Sequence, residues 1–268
     1  MAYTKNLLVA VVFLSIVLAF NPNVSEASAS STFLNIDGYY LLSSAPLAPY
    51  IDDNNRMMVP MRTFSKLFGA TATYEVASKT ATIMEGNRSL KLTANSKIIE
   101  VNGQKFKLDT VPVLKNNSFF LPLKSVADAF QIRTSILDMG YGTEKTITIE
   151  DGRFLEQGVL KEINEMRSND QEQYKNYGVF PTALTFDKNK QQVEIHIKSR
   201  NILGEKINFK DVKSGVWVVS NNEIQQVLSD VTEDLKVGKG EIMEQRYPTN
   251  NKNTSEVDYV FYFPRIQE

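Results

Sequence analysis

Val59-Pro60-Met61-Arg62 returns as Leu121-Pro122-Leu123-Lys124, and the likeness extends well to either side. Asp37-Gly38 matches Asn102-Gly103, Asn54-Asn55 matches Asn116-Asn117, and Phe68 matches Phe130. Lys79-Thr80 matches Lys145-Thr146, and Glu85-Gly86 matches Asp151-Gly152. The first segment runs from Leu34 to Gly86 and the second from Ile99 to Gly152, with extra residues in the second around Met139 to Thr143. Internal repetition constrains a fold more than composition does, because both copies must solve the same packing problem.

Each copy reads the same way. Ile98 to Val101, Asn102-Gly103 and Gln104 to Leu108 spell a hairpin, in which Asn-Gly supplies the two positive φ angles of a type I′ turn. Asn54-Asn55 and Asn116-Asn117 mark a second turn before a short strand such as Phe119-Phe120-Leu121. Proline then ends the strand and opens a helix, where its missing N–H costs nothing. The spacing predicts helices over Arg62 to Phe68 and Lys124 to Phe130, with Phe64, Leu67 and Phe68 on one face and Val126, Ala129 and Phe130 on the other copy's face. Gly69 is the expected C-terminal cap of the first. Strands follow over Thr71 to Glu75, Thr80 to Met84, Arg133 to Leu137 and Thr146 to Glu150. The expected unit is a small antiparallel sheet packed on one short helix. At roughly 50 residues it is marginal for an independent core, so two units are expected to pair.

Taken together, NNRMMVPMRTFSKLFGA from Asn54, KTATIMEG from Lys79, VNGQKFKLD from Val101, NNSFFLPLKSVADAF from Asn116 and EKTITIEDG from Glu144 resemble the copper amine oxidase N-terminal-like domain. These modules are also called stalk domains and are common on exported Gram-positive proteins. The resemblance covers about residues 34–152, and the second copy departs from it at Lys124, where Arg is usual, and at Gln131, where Gly is usual. It implies an accessory, non-catalytic fold. The copper site of amine oxidases lies in another domain and uses several histidines, whereas this chain has only His196. The catalytic Tyr context is also missing: Asn176-Tyr177 is followed by Gly178, and Gln173 stands where Thr would be. Amine oxidase activity is therefore rejected.

Lys5 precedes the apolar run Leu7 to Phe20, and Ala27-Ser28-Ala29 follows with the A-x-A form read by signal peptidase. That run is too short to span a bilayer comfortably. It reads as a secretory signal over residues 1–29 cleaved after Ala29, with cleavage after Ala27 the near competitor and an uncleaved membrane anchor the alternative. The expected location is secreted or associated with the cell envelope, with membrane contact only during export. Thirty basic against 31 acidic residues leave a net charge of -1, which gives no cationic footprint for nucleic acid. The absence of Cys excludes disulfides, thiolate metal sites and a Cys nucleophile.

Residues 153–268 are expected to form a second α+β domain with no recognisable family. A helix is predicted over residues 153–178, with Gly178 as its cap. Strands are predicted over Val179 to Phe186, Gln192 to Lys198 and Val216 to Val219, and a final strand pair over Glu241 to Tyr247 and Val257 to Phe263. Ile224, Val227, Leu228, Val231 and Leu235 have helical spacing, so a helix is expected over Glu223 to Leu235, capped by Asn221 or Asn222. The loop Pro248 to Ser255 is expected to be mobile.

The candidate sites each have a structural explanation. His196 falls on the polar face of a strand and is expected to be exposed. Asp52-Asp53-Asn54-Asn55 offers clustered oxygens but no calcium-loop spacing, and reads as a solvated turn. Arg62 is expected in a structural ion pair, and Trp217 and Tyr259 to Phe263 in the core. No nucleophile elbow or phosphate loop is present. No catalytic, cofactor-binding or metal-ligating residue is assigned, and no cofactor is expected. The leading reading is a secreted, non-catalytic scaffold or binding module toward cell wall or a surface protein. The alternative is an envelope enzyme or enzyme inhibitor acting through residues 153–268.

Overall fold

The structure is a computed structural model that describes residues 33–44, 47–138, 140, 145–167, 174–176, 178–188, 192–221, 223–229 and 234–267. The expected signal segment, the extra residues at 139 and 141–144, and Tyr177 lie outside the described residues.

The chain begins with β1 (Phe33–Ile36) and β2 (Tyr39–Ser44), then β3 (Tyr50–Ile51), β4 (Met57–Pro60), α1 (Met61–Phe68), β5 (Thr71–Glu75), β6 (Thr80–Glu85) and β7 (Arg88–Thr93). It continues through β8 (Ile98–Val101), β9 (Gln104–Lys107), β10 (Val113–Lys115), β11 (Ser118–Pro122), α2 (Leu123–Phe130), β12 (Arg133–Asp138) and β13 (Lys145–Glu150). Next come α3 (Arg153–Glu156), α4 (Gly158–Arg167), β14 (Tyr174–Asn176), β15 (Val179–Lys188), β16 (Val193–Asn201) and β17 (Ile207–Asn208). The last strands are β18 (Gly215–Ser220), β19 (Glu223–Val227), β20 (Lys236–Val237), β21 (Ile242–Pro248), β22 (Tyr259–Phe263) and β23 (Arg265–Gln267). The described residues are mostly strand, with four α-helices, all before residue 168.

Local chemistry accounts for the turns and helix ends. Asn102 and Gly103 hold φ of 50° and 83°, and Asp37 and Gly38 hold 47° and 95°, as two-residue hairpins of right-handed twist require. Pro60 and Pro122 end β4 and β11 in extended backbone and stand directly before the helices. Gly69 closes α1 in the left-handed region, and Gln131 does the same for α2 at φ 57°, without glycine's freedom. Two guanidiniums compensate there: Arg88 Nη1 and Arg153 Nη2 donate to the Phe130 carbonyl at 2.8 and 2.9 Å, where the helix end carries partial negative charge.

Strands from distant parts of the chain share sheets. The largest sheet has the order β12-β13-β1-β2-β22-β18-β19, and only β13 and β1 run parallel. Another has the order β5-β6-β7-β8-β9. At the centre β4 pairs antiparallel with β11, with Val59 opposite Leu121 and Met58 and Pro60 opposite Pro122 and Phe120. The strands before α1 and α2 thus pair with each other, where a small antiparallel sheet on each short helix was expected, the two units pairing. β7 was not foreseen.

The seven-stranded sheet separates two cores. Leu34, Leu41, Trp217, Phe261 and Phe263 face α1, α3 and α4 on one side. Tyr40, Leu42, Val216, Val218 and Tyr262 face β15, β16 and β21 on the other. A strand buried on both faces needs no polar alternation, which explains the unbroken aromatic run of β22.

Several expectations for the C-terminal half are corrected. Glu223–Val227 is a strand that pairs with β18 through a turn at Asn221, and not a helix. Leu228 and Leu235, expected on its buried side, are 69% and 55% exposed. The span from residue 153 is two short helices broken at Gln157-Gly158, followed by β14, and Gly178 caps no helix. β21 and β22 do not pair with each other: β21 lies beside β16, and β22 lies between β2 and β18. The Pro248 to Ser255 loop is tied down, with Val193 N–H donating to the Asn251 carbonyl at 2.8 Å and Thr249 Oγ1 to the Val193 carbonyl at 2.8 Å. Among the described residues, no helix is long and apolar enough to cross a membrane.

Candidate functional site

The β8–β9 hairpin and α2 enclose an open groove of about 410 Å³. Ile99, Val101, Phe106 and Leu108 supply its apolar wall from the hairpin, and Ala129 and Ser125 supply the facing wall from α2. Lys107, Asp109, Lys124 and Asp128 form the rim, where Lys124 and Asp128 pair one helical turn apart. Phe106 is 48% exposed although it lies on the wall of the groove. β9 is the last strand of its sheet, so among the described residues one side of its backbone is unpaired. In a hairpin closed by a two-residue turn, Lys105 and Lys107 direct their N–H and C=O groups to that free side. Among the described residues that line it, none pairs a nucleophile with a base. Its chemistry is that of an apolar trough beside an unsatisfied strand edge.

The Asp52 turn braces the neighbourhood. Asp52 Oδ1 accepts from the N–H groups of Asn54 and Arg56 at 2.9 and 2.8 Å, and Oδ2 accepts from Thr110 Oγ1 at 2.7 Å. Partial burial alone would raise its pKa, but these hydrogen bonds outweigh burial and hold it below the ordinary carboxylate value. Arg56 reaches Asp109 beside the groove. The carboxylate is thus occupied by the protein's own donors, as a structural turn requires.

Arg153 anchors a second polar cluster. Its Nε and Nη2 donate to Asp151 at 2.9 and 2.6 Å, Nη1 lies 3.3 Å from Glu85, and the guanidinium stacks 4.8 Å above the Phe68 ring. The hydrogen bond from Arg153 lowers the Asp151 pKa. Asp37 sits nearby with Oδ1 accepting from the Asp151 N–H at 3.0 Å and Oδ2 buried without a partner, and burial raises its pKa. These groups knit β2, β6, α2 and α3 together.

The third cluster lies on the outer face of the β15-β16-β21 sheet. His196 is corrected from exposed to half-buried: its side chain is 16% exposed and lies between two carboxylates. Nε2 is 2.8 Å from Glu194 and Nδ1 is 3.0 Å from Glu244. Asp187, opposite Glu194 across the strand pair, brings a third carboxylate, and donor atoms of Asp187, Glu194 and His196 lie within 4.8 Å of one another. This is one imidazole and two carboxylates, a donor set that could hold a divalent cation. Arg246, directly opposite His196, and Lys198, 3.8 Å from Glu244, bring positive charge to the same face. The alternation of Glu194, His196 and Lys198 is visible in the sequence, but the register that adds Asp187 and Glu244 is not.

The remaining candidates divide simply. Trp217 and the whole of β22 are buried, as expected. Arg62 is exposed and makes no ion pair among the described residues, so the expected pair is not formed. The groove itself was not foreseen.

Residues 35–137 match the copper amine oxidase N-terminal domain, a non-catalytic accessory domain in those enzymes. No curated protein matches the chain.

Proposed function

We propose that the chain is an exported, non-catalytic scaffold or binding module of the cell envelope, directed toward cell wall or a surface protein through the groove between the β8–β9 hairpin and α2. One observation carries this reading: in a segment matching an accessory domain, an open apolar trough lies beside a free strand edge. A peptide or glycan chain is the class of ligand such a trough accepts.

We also read the N-terminal part as a tandem duplication whose copies have diverged. Leu34, Ile36 and Leu41 stand where Ile99, Val101 and Phe106 stand in the second copy, and Thr63 and Leu67 match Ser125 and Ala129. In the first copy the space these residues enclose is reduced to a void of about 10 Å³. The site is closed in one copy and open in the other.

Co-sedimentation with purified, insoluble cell-wall sacculi tests the wall-binding reading. Saturable pelleting that weakens on Phe106→Lys supports it, and no pelleting overturns it. The cluster of Asp187, Glu194, His196 and Glu244 favours the second reading, an enzyme or inhibitor acting through residues 153–268. Turnover or inhibition lost on His196→Asn would select it.

A further inference from the structure

The chain contains its own example of what fills such a groove. In the first copy, β22 lies antiparallel along β2, with Tyr262 opposite Tyr40 and Phe261 opposite Leu41. Tyr259, Phe261 and Phe263 point toward α1 and are buried, and Val260 and Tyr262 point the other way. Tyr259 hydrogen-bonds Thr63, and Lys66 Nζ sits 5.4 Å above its ring, so this aromatic side chain packs on the helix face. The strand closes the space between hairpin and helix.

The second copy has the same hairpin and helix and, among the described residues, no such strand. β9 ends its sheet where β2 is paired. The α2 side chains are also smaller: Ala129 replaces Leu67 and Val126 replaces Phe64, which widens the trough. Natural proteins protect open edges with Lys, and β9 carries Lys105 and Lys107. Yet Phe106 stays 48% exposed between them, aimed along the trough. An edge built only to repel other strands would not place a half-exposed Phe beside a 410 Å³ trough.

We propose that this groove binds an extended segment of another protein with aromatic side chains at alternate positions, paired antiparallel with β9 as β22 is paired with β2. The ligand's backbone exchanges hydrogen bonds with Lys105 and Lys107, and its alternate side chains enter the trough over Phe106 and Ala129. The two lysines favour acidic residues flanking the aromatic ones. The inference rests on the duplication and the groove proposed above, and names the ligand class.

The test uses the untagged chain and a fluorescently labelled peptide carrying the Tyr259–Phe263 sequence between Glu residues, read by anisotropy. Saturable binding is expected, with slowed amide exchange at Lys105 and Lys107. Ala129→Leu, which installs the residue of the closed copy, should weaken binding at least ~10-fold by overfilling the trough. Phe106→Lys, at a half-exposed position, keeps the test valid if Ala129→Leu does not fold, and should weaken binding similarly. A peptide with Ser in place of the residues matching Phe261 and Phe263 should bind at least ~10-fold more weakly, because those two share the trough-facing side with Tyr259. No saturable binding overturns the proposal. So does binding unchanged in both variants, which would mean that the peptide displaces β22 at the closed copy. If sacculi pellet the chain while the peptide fails to bind, the strand inference falls and the wall-binding reading stands. If the peptide binds as described and sacculi do not pellet the chain, the strand inference stands and the wall-binding reading falls.

Discussion

The β1–β2 hairpin and the β8–β9 hairpin are built from matching turns and end up in different environments. Every residue of β1 is buried, and so are five of the six in β2, because β13, β22 and two cores surround them. Every residue of β9 is exposed. The outer faces record the difference: Phe33, Tyr40 and Leu42 on the first hairpin, and Ile98, Glu100, Lys105 and Lys107 on the second. The turn makes the hairpin, but whatever covers it decides what its faces can carry. Two hairpins with matching turns can therefore serve one as part of a core and the other as a surface.

The sharpest way to break this comparison is to truncate matched positions. Leu41→Ala, at 2% exposure, is expected to cost ~2–5 kcal/mol, against less than about 1 kcal/mol for Phe106→Ala in denaturant titration. Equal costs would mean that the second hairpin is covered after all.

Alkaline titration probes the cover on the first hairpin. Burial pushes the Tyr259 phenol up to about 12 from its usual 10.0. The native state thus holds this proton more tightly than the unfolded chain does. Its contribution is fully present below pH 10 and lost as pH rises through about 12, and a rise from 10.0 to about 12 corresponds to roughly 2–3 kcal/mol. Denaturation at stepped pH should show this loss, and Tyr259→Phe should remove it. A parallel decline in both proteins would place the effect elsewhere.

Gly158 tests how α4 is seated on α1. It holds φ +60°, and a Cβ there would lie 2.6 Å from the Lys66 carbonyl oxygen. Gly158→Ala is expected to lower stability by roughly 1–3 kcal/mol in thermal unfolding. Gly103, with φ +83° and open space around it, should cost only the backbone strain, about 1 kcal/mol.

The smallest effect compares the two turns. Asp37 has a raised pKa because it is buried, whereas the matching residue is Asn102. Asp37→Asn should stabilise the chain at neutral pH by up to about 1 kcal/mol, since Asn keeps the acceptor for the Asp151 N–H and carries no charge to desolvate. The wild-type Asp gains stability as pH falls through its raised native pKa toward 3.8, so the advantage of Asn should shrink in acid. A constant difference across that window would remove burial as the cause.

What could be read from the residues was what depends on neighbours in the chain. Asn102-Gly103, Pro60 and Pro122 act within a few residues, and their turns and helix starts lie where expected. Ile224 and Val227 were misread because their spacing suits a helix, while the partner that makes Glu223–Val227 a strand is β18 across a turn. Succession in the chain suggests that β21 and β22 are mates, yet their partners lie in other parts of the chain. The groove was hidden for a related reason: it is the shape left beside β9, where no described strand takes the place that β22 takes beside β2.

The pairing of β2 with β22 also has a kinetic consequence. Leu41 meets Phe261 across most of the strands described, so one of the most buried hairpins acquires its neighbour only after all the intervening strands have been made. Closing so long a loop precedes any gain from the contact, which slows folding. Until then Tyr39, Tyr40 and Leu41 form an uncovered aromatic strand, and β9 is an open edge in the same molecule. Early refolding should therefore be the interval in which this chain captures another strand most readily, and the yield of monomer should fall steeply with protein concentration.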